Sequence, residues 1–164
     1  MDAVMSRKSV RKFTEQAVTK EQIEQLLRAA MQAPSAHNQQ PWEFVVVQRR
    51  EALQALSQVH PYAGPMAGAG VGLVVLRRPG EFSPHWPQDL SAAVENLLVE
   101  AEAMGLGAVW MGLFPDRERM ELVGEMLSAP EGAEVFAMVA VGVPAERREA
   151  LSRYDAARVH WERY

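Results

Sequence analysis

The sequence contains no cysteine, and that single absence removes disulfides, thiolate metal sites and cysteine nucleophiles together. Any redox chemistry therefore has to come from a bound cofactor. Long apolar runs are also missing: VGLVVL from Val71 falls far short of the roughly 20 residues of a membrane helix, so no membrane contact is expected. The start, MDAVMSRKSVRKF, is charged and lacks the apolar centre of a signal peptide, which gives the expectation of a cytoplasmic protein. Neither GxxxxGK[ST] nor GxSxG occurs, and Gly68, Gly70 and Gly72 precede a strand pattern, whereas a dinucleotide fingerprint follows one. The four histidines, His37, His60, His85 and His160, are scattered without i, i+4 pairing, so no metal site is expected. A net charge of −4 argues against nucleic acid, although Arg7, Lys8, Arg11 and Lys12 crowd the first twelve residues and point to one anion, such as a phosphate.

What is present reads as an ordinary globular chain. Its 164 residues, 48% hydrophobic and 23% charged, suit a single domain over residues 1–164 that buries about 70% of its unfolded surface. A short helix after Asp2 is expected to carry Val4 and Met5 inward. Thr19 and Gln22 form a capping box for a helix over 19–32, whose apolar face is Ile23, Leu26, Leu27, Ala30 and Met31 and which Pro34 ends. Strands are expected at 43–48, 71–76, 107–113 and 135–142, and helices at 51–59, 89–104 and 116–127, with Asp116 as an N-cap and Gly105 as a stop. Glu100 and Glu102 read as the solvated face of the long helix. HPYAGPMAGAG (60–70) and RRPGEFSPHWPQ (77–88) read as mobile or irregular connections, the second with an exposed Trp86. The alternation of strands and helices gives an α/β or α+β sandwich, and the polar, aromatic tail after residue 143 either frays or lies across something else.

Two stretches exceed what structure alone requires. In RKSVRKF (7–13) the residues Arg7, Ser9 and Arg11 alternate as along an extended segment, so their side chains can converge on one anion; a solvated basic patch is the plainer alternative. In APSAHNQQPW (33–42) a helix stop and the approach to a strand explain Pro34, Pro41 and Trp42, but leave Ser35, Asn38, Gln39 and Gln40 clustered for no structural reason. Asn and Gln offer paired donors and acceptors that suit the edge of a pyrimidine-like ring. A phosphate-seeking RxSxR and an amide-rich rigid loop describe the two ends of a mononucleotide-sized cofactor.

With RKSVRKF, APSAHNQQPW, SAAVENLLVEAEAMGLGAVWMG and RYDAARVHW in this order over nearly the whole chain, the sequence resembles the short members of the nitroreductase family, FMN-dependent oxidoreductases. The resemblance implies an α+β, three-layer α/β/α sandwich with a central, mostly antiparallel sheet, and an intertwined homodimer in which residues 143–164 pack on the partner subunit. It implies FMN at the interface, with Arg7, Lys8 and Ser9 at the phosphate and ribityl end, joined by Arg153, and Arg11 nearer the flavin N1 and O2 edge. Pro34, Ser35, Ala36 and Asn38 would come from the other subunit, with Gln40 supporting that loop, and Gly112 and Leu113 would direct a backbone N–H at flavin N5. The segment WMGLFPD departs from the acidic-residue-and-glycine pattern common there, and the tail has no second cation two places from Arg153.

The activity implied is ping-pong transfer of a hydride from NAD(P)H through flavin N5 to an acceptor such as a nitroaromatic or quinone, without a catalytic side chain. Tyr62, Phe82 and Trp86 are candidate walls of the acceptor pocket. A specialised relative performing reductive dehalogenation, dehydrogenation or flavin breakdown, and a flavin-binding protein without turnover, are the alternatives.

Overall fold

A computed structural model describes residues 2–146, 149 and 151–164; the tail positions Arg147, Arg148 and Ala150 lie outside the described residues. Its helices are α1 (Ala3–Ser6), α2 (Lys20–Met31), α3 (Arg50–Leu56), α4 (Trp86–Ala103) and α5 (Arg117–Met126); its strands are β1 (Trp42–Val47), β2 (Val71–Arg77), β3 (Gly107–Gly112) and β4 (Glu134–Gly142). The strands form one sheet in the order β1-β2-β4-β3, with every neighbouring pair antiparallel. No helix among the described residues is long and apolar enough to cross a membrane.

The two inner strands, β2 and β4, are buried along nearly their whole length because both of their faces are covered. On β2, Val71, Leu73 and Val75 pack toward α2 and α4, while Val74 and Leu76 pack with Leu53 and Leu56 of α3 and Val123 of α5. The result is a helix-sheet-helix sandwich. Between Val75 and Leu76 the register slips, so that Phe136 is an extra residue on β4. A bulge of this kind turns a side chain out of sequence. The Phe136 carbonyl accepts from both Leu113 N–H and Phe114 N–H at 3.0 Å, and its ring sits 5.8 Å from Trp110 and 6.1 Å from Trp86.

The capping box is formed: Gln22 N–H donates to Thr19 Oγ1, and Thr19 N–H donates to Gln22 Oε1. Several expectations are corrected. Val4 and Met5 are each 65% exposed, because α1 is one turn long and buries Ser6 instead. Residues 60–70 are no mobile connection: Ala63, Met66 and Ala69 are fully buried around a 3-10 turn at Gly64–Gly68, and Arg50 donates to the Ala67 and Ala69 carbonyls. The long helix starts at Trp86, three residues before Asp89, and Trp86 is only half exposed because its ring meets Phe114 edge-on at 5.0 Å. Glu102 is not simply solvated; its side chain is 16% exposed and meets Lys8 at 3.5 Å. Glu100 accepts from Gln25 at 3.0 Å.

The feature that positions the candidate site is the N-terminal segment. Ser9 bridges Ala108 in parallel, with Val10 N–H donating to the Ala108 carbonyl at 2.9 Å, and Phe13 bridges Pro144 in antiparallel. Two glycines allow this close approach. A Cβ on Gly107 would lie 2.7 Å from the Val10 side chain, and one on Gly142 would lie 2.8 Å from the Phe13 ring. Gly107→Ala is therefore expected to lower stability by about 1–3 kcal/mol, the usual scale of overpacking; chemical denaturation measures it, and an unchanged midpoint would show that the segment does not bear on the sheet there.

Candidate functional site

From the bridge at Ala108 the segment crosses the end of the sheet to Val143 and Pro144, just past β4. Lys8, Ser9, Val10, Arg11, Lys12 and Glu146 line a hollow of about 210 Å³. Arg7, at the C-terminal cap of α1, turns instead to α4, where its Nε lies 3.1 Å from Glu95 Oε1 and its side chain is 17% exposed. The alternation expected for Arg7, Ser9 and Arg11 is thus spread over two surfaces: the α4 carboxylates hold Arg7 and Lys8, and Arg11 is left exposed.

Arg11 also lines a second cavity, of about 300 Å³, with His60, Tyr62, Val109, Trp110, Met111, Gly112 and Arg119. Here the strand geometry selects a donor. Leu113 N–H is spent on the Phe136 carbonyl and Leu113 is 2% exposed, so the alternation of an antiparallel ladder turns the Gly112 N–H to the open side of β3. The outward Ala108 carbonyl, which accepts from Val10, has the same parity. A Cβ on Gly112 would meet nothing nearer than Trp110 Nε1 at 4.0 Å, which leaves space beside that N–H.

Pro34, Ser35, Ala36, Asn38 and Gln40 form a strap between α2 and β1, apart from these two hollows. Ala36–Asn38 is a 3-10 turn, and His37, Asn38 and Gln40 have φ of 52°, 51° and 45°. Left-handed backbone costs a non-glycine residue about 1 kcal/mol or more, so three such residues need firm bracing. Within the strap, Gln40 N–H donates to Ser35 Oγ at 3.0 Å, and Gln40 Nε2 donates to Asn38 Oδ1 at 3.2 Å. From outside, Arg78 N–H donates to the Pro41 carbonyl at 2.8 Å, and the Arg78 guanidinium reaches the Gln39 and Gln40 carbonyls.

Sequence reasoning missed the strongest brace. Asp89, only 5% exposed, accepts from Ala36 N–H at 2.9 Å and from Gln39 Nε2 at 2.5 Å. Its position was the available signal: at spacing four it shares a stripe with Ala93 and Leu97, so the carboxylate falls on the buried face. His60 and Arg119 were missed as well, and Gln39, singled out with the other amides as suited to a ring edge, instead bonds Asp89 and Ser83.

Within one chain the strap and the N-terminal segment do not meet. They touch α4 at Asp89 and Glu95, which lie six residues, or about 9 Å and a third of a turn, apart. Arg153 stands on the exposed tail, where Leu151, Tyr154, Trp161 and Tyr164 are also exposed. Of the candidate walls, Tyr62 joins Arg11 and Gly112, whereas Phe82 and Trp86 border a different hollow with Arg77 and Glu134. Phe82 lies under Arg78, 4.7 Å from its ring centre.

The family model for the nitroreductase family matches residues 4–63 and 57–143. A protein of Archaeoglobus fulgidus, provisionally named NADH dehydrogenase/NAD(P)H nitroreductase, is 38% identical over 98% of this chain and 96% of its own. Among solved structures, a provisionally named NADH oxidase of Clostridium acetobutylicum is 42% identical, with a TM-score of 0.96 over 99% of this chain and all of its own. An FMN-dependent nitroreductase of Clostridium difficile is 27% identical, with a TM-score of 0.92 over 99% of both chains.

His60 gives the cavity a pH signature. It is buried, its Nδ1 accepts from Tyr62 N–H at 3.1 Å, and its Nε2 has no protein partner. Burial, helped by repulsion from Arg119 and only partly offset by Asp116, holds its pKa below the ordinary 6.5. The unfolded chain therefore takes up the proton first, and stability falls as pH drops through 6.5 toward the lower folded-state value. His60→Asn keeps an acceptor for Tyr62 but cannot charge, so its stability is expected to fall less than that of the wild type between about pH 7.5 and about pH 5.5. Parallel curves in thermal unfolding would contradict the assignment.

Proposed function

The chain belongs to the nitroreductase family, and from that premise we propose that it is an FMN-dependent NAD(P)H oxidoreductase acting on a small electron acceptor such as a nitroaromatic or quinone. The observation that carries this reading is the pairing of Arg11 with the outward Gly112 N–H around one open cavity. The donor set fits FMN: cations and a hydroxyl for a phosphate, then a cation and an N–H for the carbonyl edge and N5 of a flat ring. Arg7, Lys8 and Ser9 hold the phosphate and ribityl end, Arg11 faces the N1 and O2 edge, and Gly112 provides the N–H that Leu113 has spent in the sheet.

Bound FMN supplies a ring that takes reducing equivalents from NAD(P)H and returns them to the acceptor in the same pocket. Arg11 opposes the negative charge that accumulates at the N1 edge on reduction. The Gly112 N–H, fixed by the β3–β4 ladder, orients the ring without any change in the chain. Asp89 does not reach this cavity, and what Arg11 and the Gly112 N–H bring to it is positioning and electrostatics.

The strap, which lies apart from Arg7 and Arg11 in its own chain, completes the FMN site of a second copy through Pro34, Ser35, Ala36, Asn38 and Gln40. The exposed apolar residues Val4, Met5, Leu151, Tyr154 and Trp161 support such an intertwined homodimer, with the single domain of one chain extended by residues 143–164 onto the other. Arg153 on that tail brings a further cation to the phosphate.

Anaerobic addition of NADH or NADPH to the FMN-loaded protein is expected to bleach the visible flavin absorption, and a nitroaromatic or quinone to restore it. Flavin that stays oxidised would point to binding without turnover. Arg7→Ala is expected to weaken FMN binding by about 1.5–3 kcal/mol, the scale of a charged hydrogen bond. Unchanged affinity in a fluorescence titration would place the phosphate elsewhere.

A further inference from the structure

We infer that Asp89 and Gln39 form a latch that sets the shape of the strap and ties it to residues 77–86, which makes Asp89 a positioning residue for the cofactor site. The inference rests on the reading of the strap as a wall of the FMN site. Asp89 receives two hydrogen bonds from the strap, through Ala36 N–H and the Gln39 amide. The same Gln39 amide accepts from Ser83 N–H with its Oε1 at 2.9 Å. The order of donors is forced. Gln39 must turn its NH₂ to the carboxylate and its oxygen to the backbone N–H, because the reverse would set oxygen against oxygen and donor against donor.

Asp89 is buried, and Ala36, Gln39 and Ser83 are half-buried, where His37, Asn38 and Gln40 are exposed. His37, Asn38 and Gln40 are left-handed and lie at the surface, where Ser35 and the exposed Arg78 guanidinium are their partners beyond one another. Asp89 clamps both ends of the 3-10 turn, at Ala36 and Gln39, to the first turn of α4. Ser83, in turn, fixes the segment that carries Phe82 and leads into Trp86. Release of the latch would free the strap on one side and that segment on the other.

The chemistry provides a reciprocal test. In Asp89→Asn, the new amide can still accept from Ala36, but its NH₂ confronts the Gln39 NH₂; if Gln39 flips, Ser83 N–H loses its acceptor. Gln39→Glu sets two carboxylates against each other at the 2.5 Å contact. The double variant D89N/Q39E restores every bond with the charge moved to residue 39: the amide introduced at position 89 donates to one oxygen of the carboxylate introduced at position 39, and Ser83 N–H donates to the other.

FMN affinity is measured for wild type, both single variants and the double variant at a temperature where circular dichroism reports all four folded. Each single variant is expected to bind FMN about tenfold more weakly, and the double variant within about threefold of wild type. Amide hydrogen exchange at Ala36 and Ser83 is expected to speed up at one or both positions in the single variants and to slow again in the double variant. If Q39E does not fold, Gln39→Leu replaces it, with the same loss of affinity expected. Wild-type affinity in D89N, or a double variant that binds no better than the weaker single variant, overturns the latch. If wild type binds no FMN, it is the cofactor reading that fails, and exchange alone decides the latch: unchanged rates in the single variants overturn it, and reciprocal rates uphold it.

Discussion

The structure depends on the close approach of residues 9–14 to one end of the sheet. Backbone can lie against β3 and the end of β4 only where no side chain intervenes, and Gly107 and Gly142 provide those two gaps. Hydrogen bonds then fix the register: Val10 to Ala108, Thr14 to Val143 and Ala145 to Lys12. From that register, Arg11 comes to share a cavity with Gly112. The same pairing covers the outer edge of β3 near Ala108, and the outward Gly112 N–H borders the cavity that Arg11 lines.

Helix α4 is the second organiser, and it works by charge placement along its length. Asp89 at its start holds the strap, Glu95 in its middle holds Arg7, and Glu102 near its end meets Lys8. The basic segment is therefore pre-positioned by carboxylates, with its remaining charge aimed outward. In the proposed site the phosphate would compete with Glu95 for Arg7, an exchange of one half-exposed ion pair for a charged hydrogen bond.

The elements whose character lies in local patterning were legible in the sequence. The Thr19–Gln22 capping box, the apolar runs of β2 and β4, and the Asp116 cap all appear at the expected places. What depended on tertiary packing was not. Residues 60–70 look flexible by their Gly and Pro content, yet Met66 fills a slot over Gly72, where a Cβ would lie 2.7 Å from its sulfur. Trp86 lies between prolines in a stretch that reads as loop, and its ring is packed by Phe114 and by Phe136 of the bulge, both distant in sequence. At the candidate site, the residue types were readable in RKSVRKF and APSAHNQQPW, but the carboxylates that arrange them lie fifty or more residues away in the sequence.

The proposed FMN site is built from the RKSVRKF segment and the end of β3. In a fluorescence titration of purified protein with FMN, such a site gives saturable quenching that ends at one FMN per chain. Flavin fluorescence that stays undiminished through the titration would contradict it.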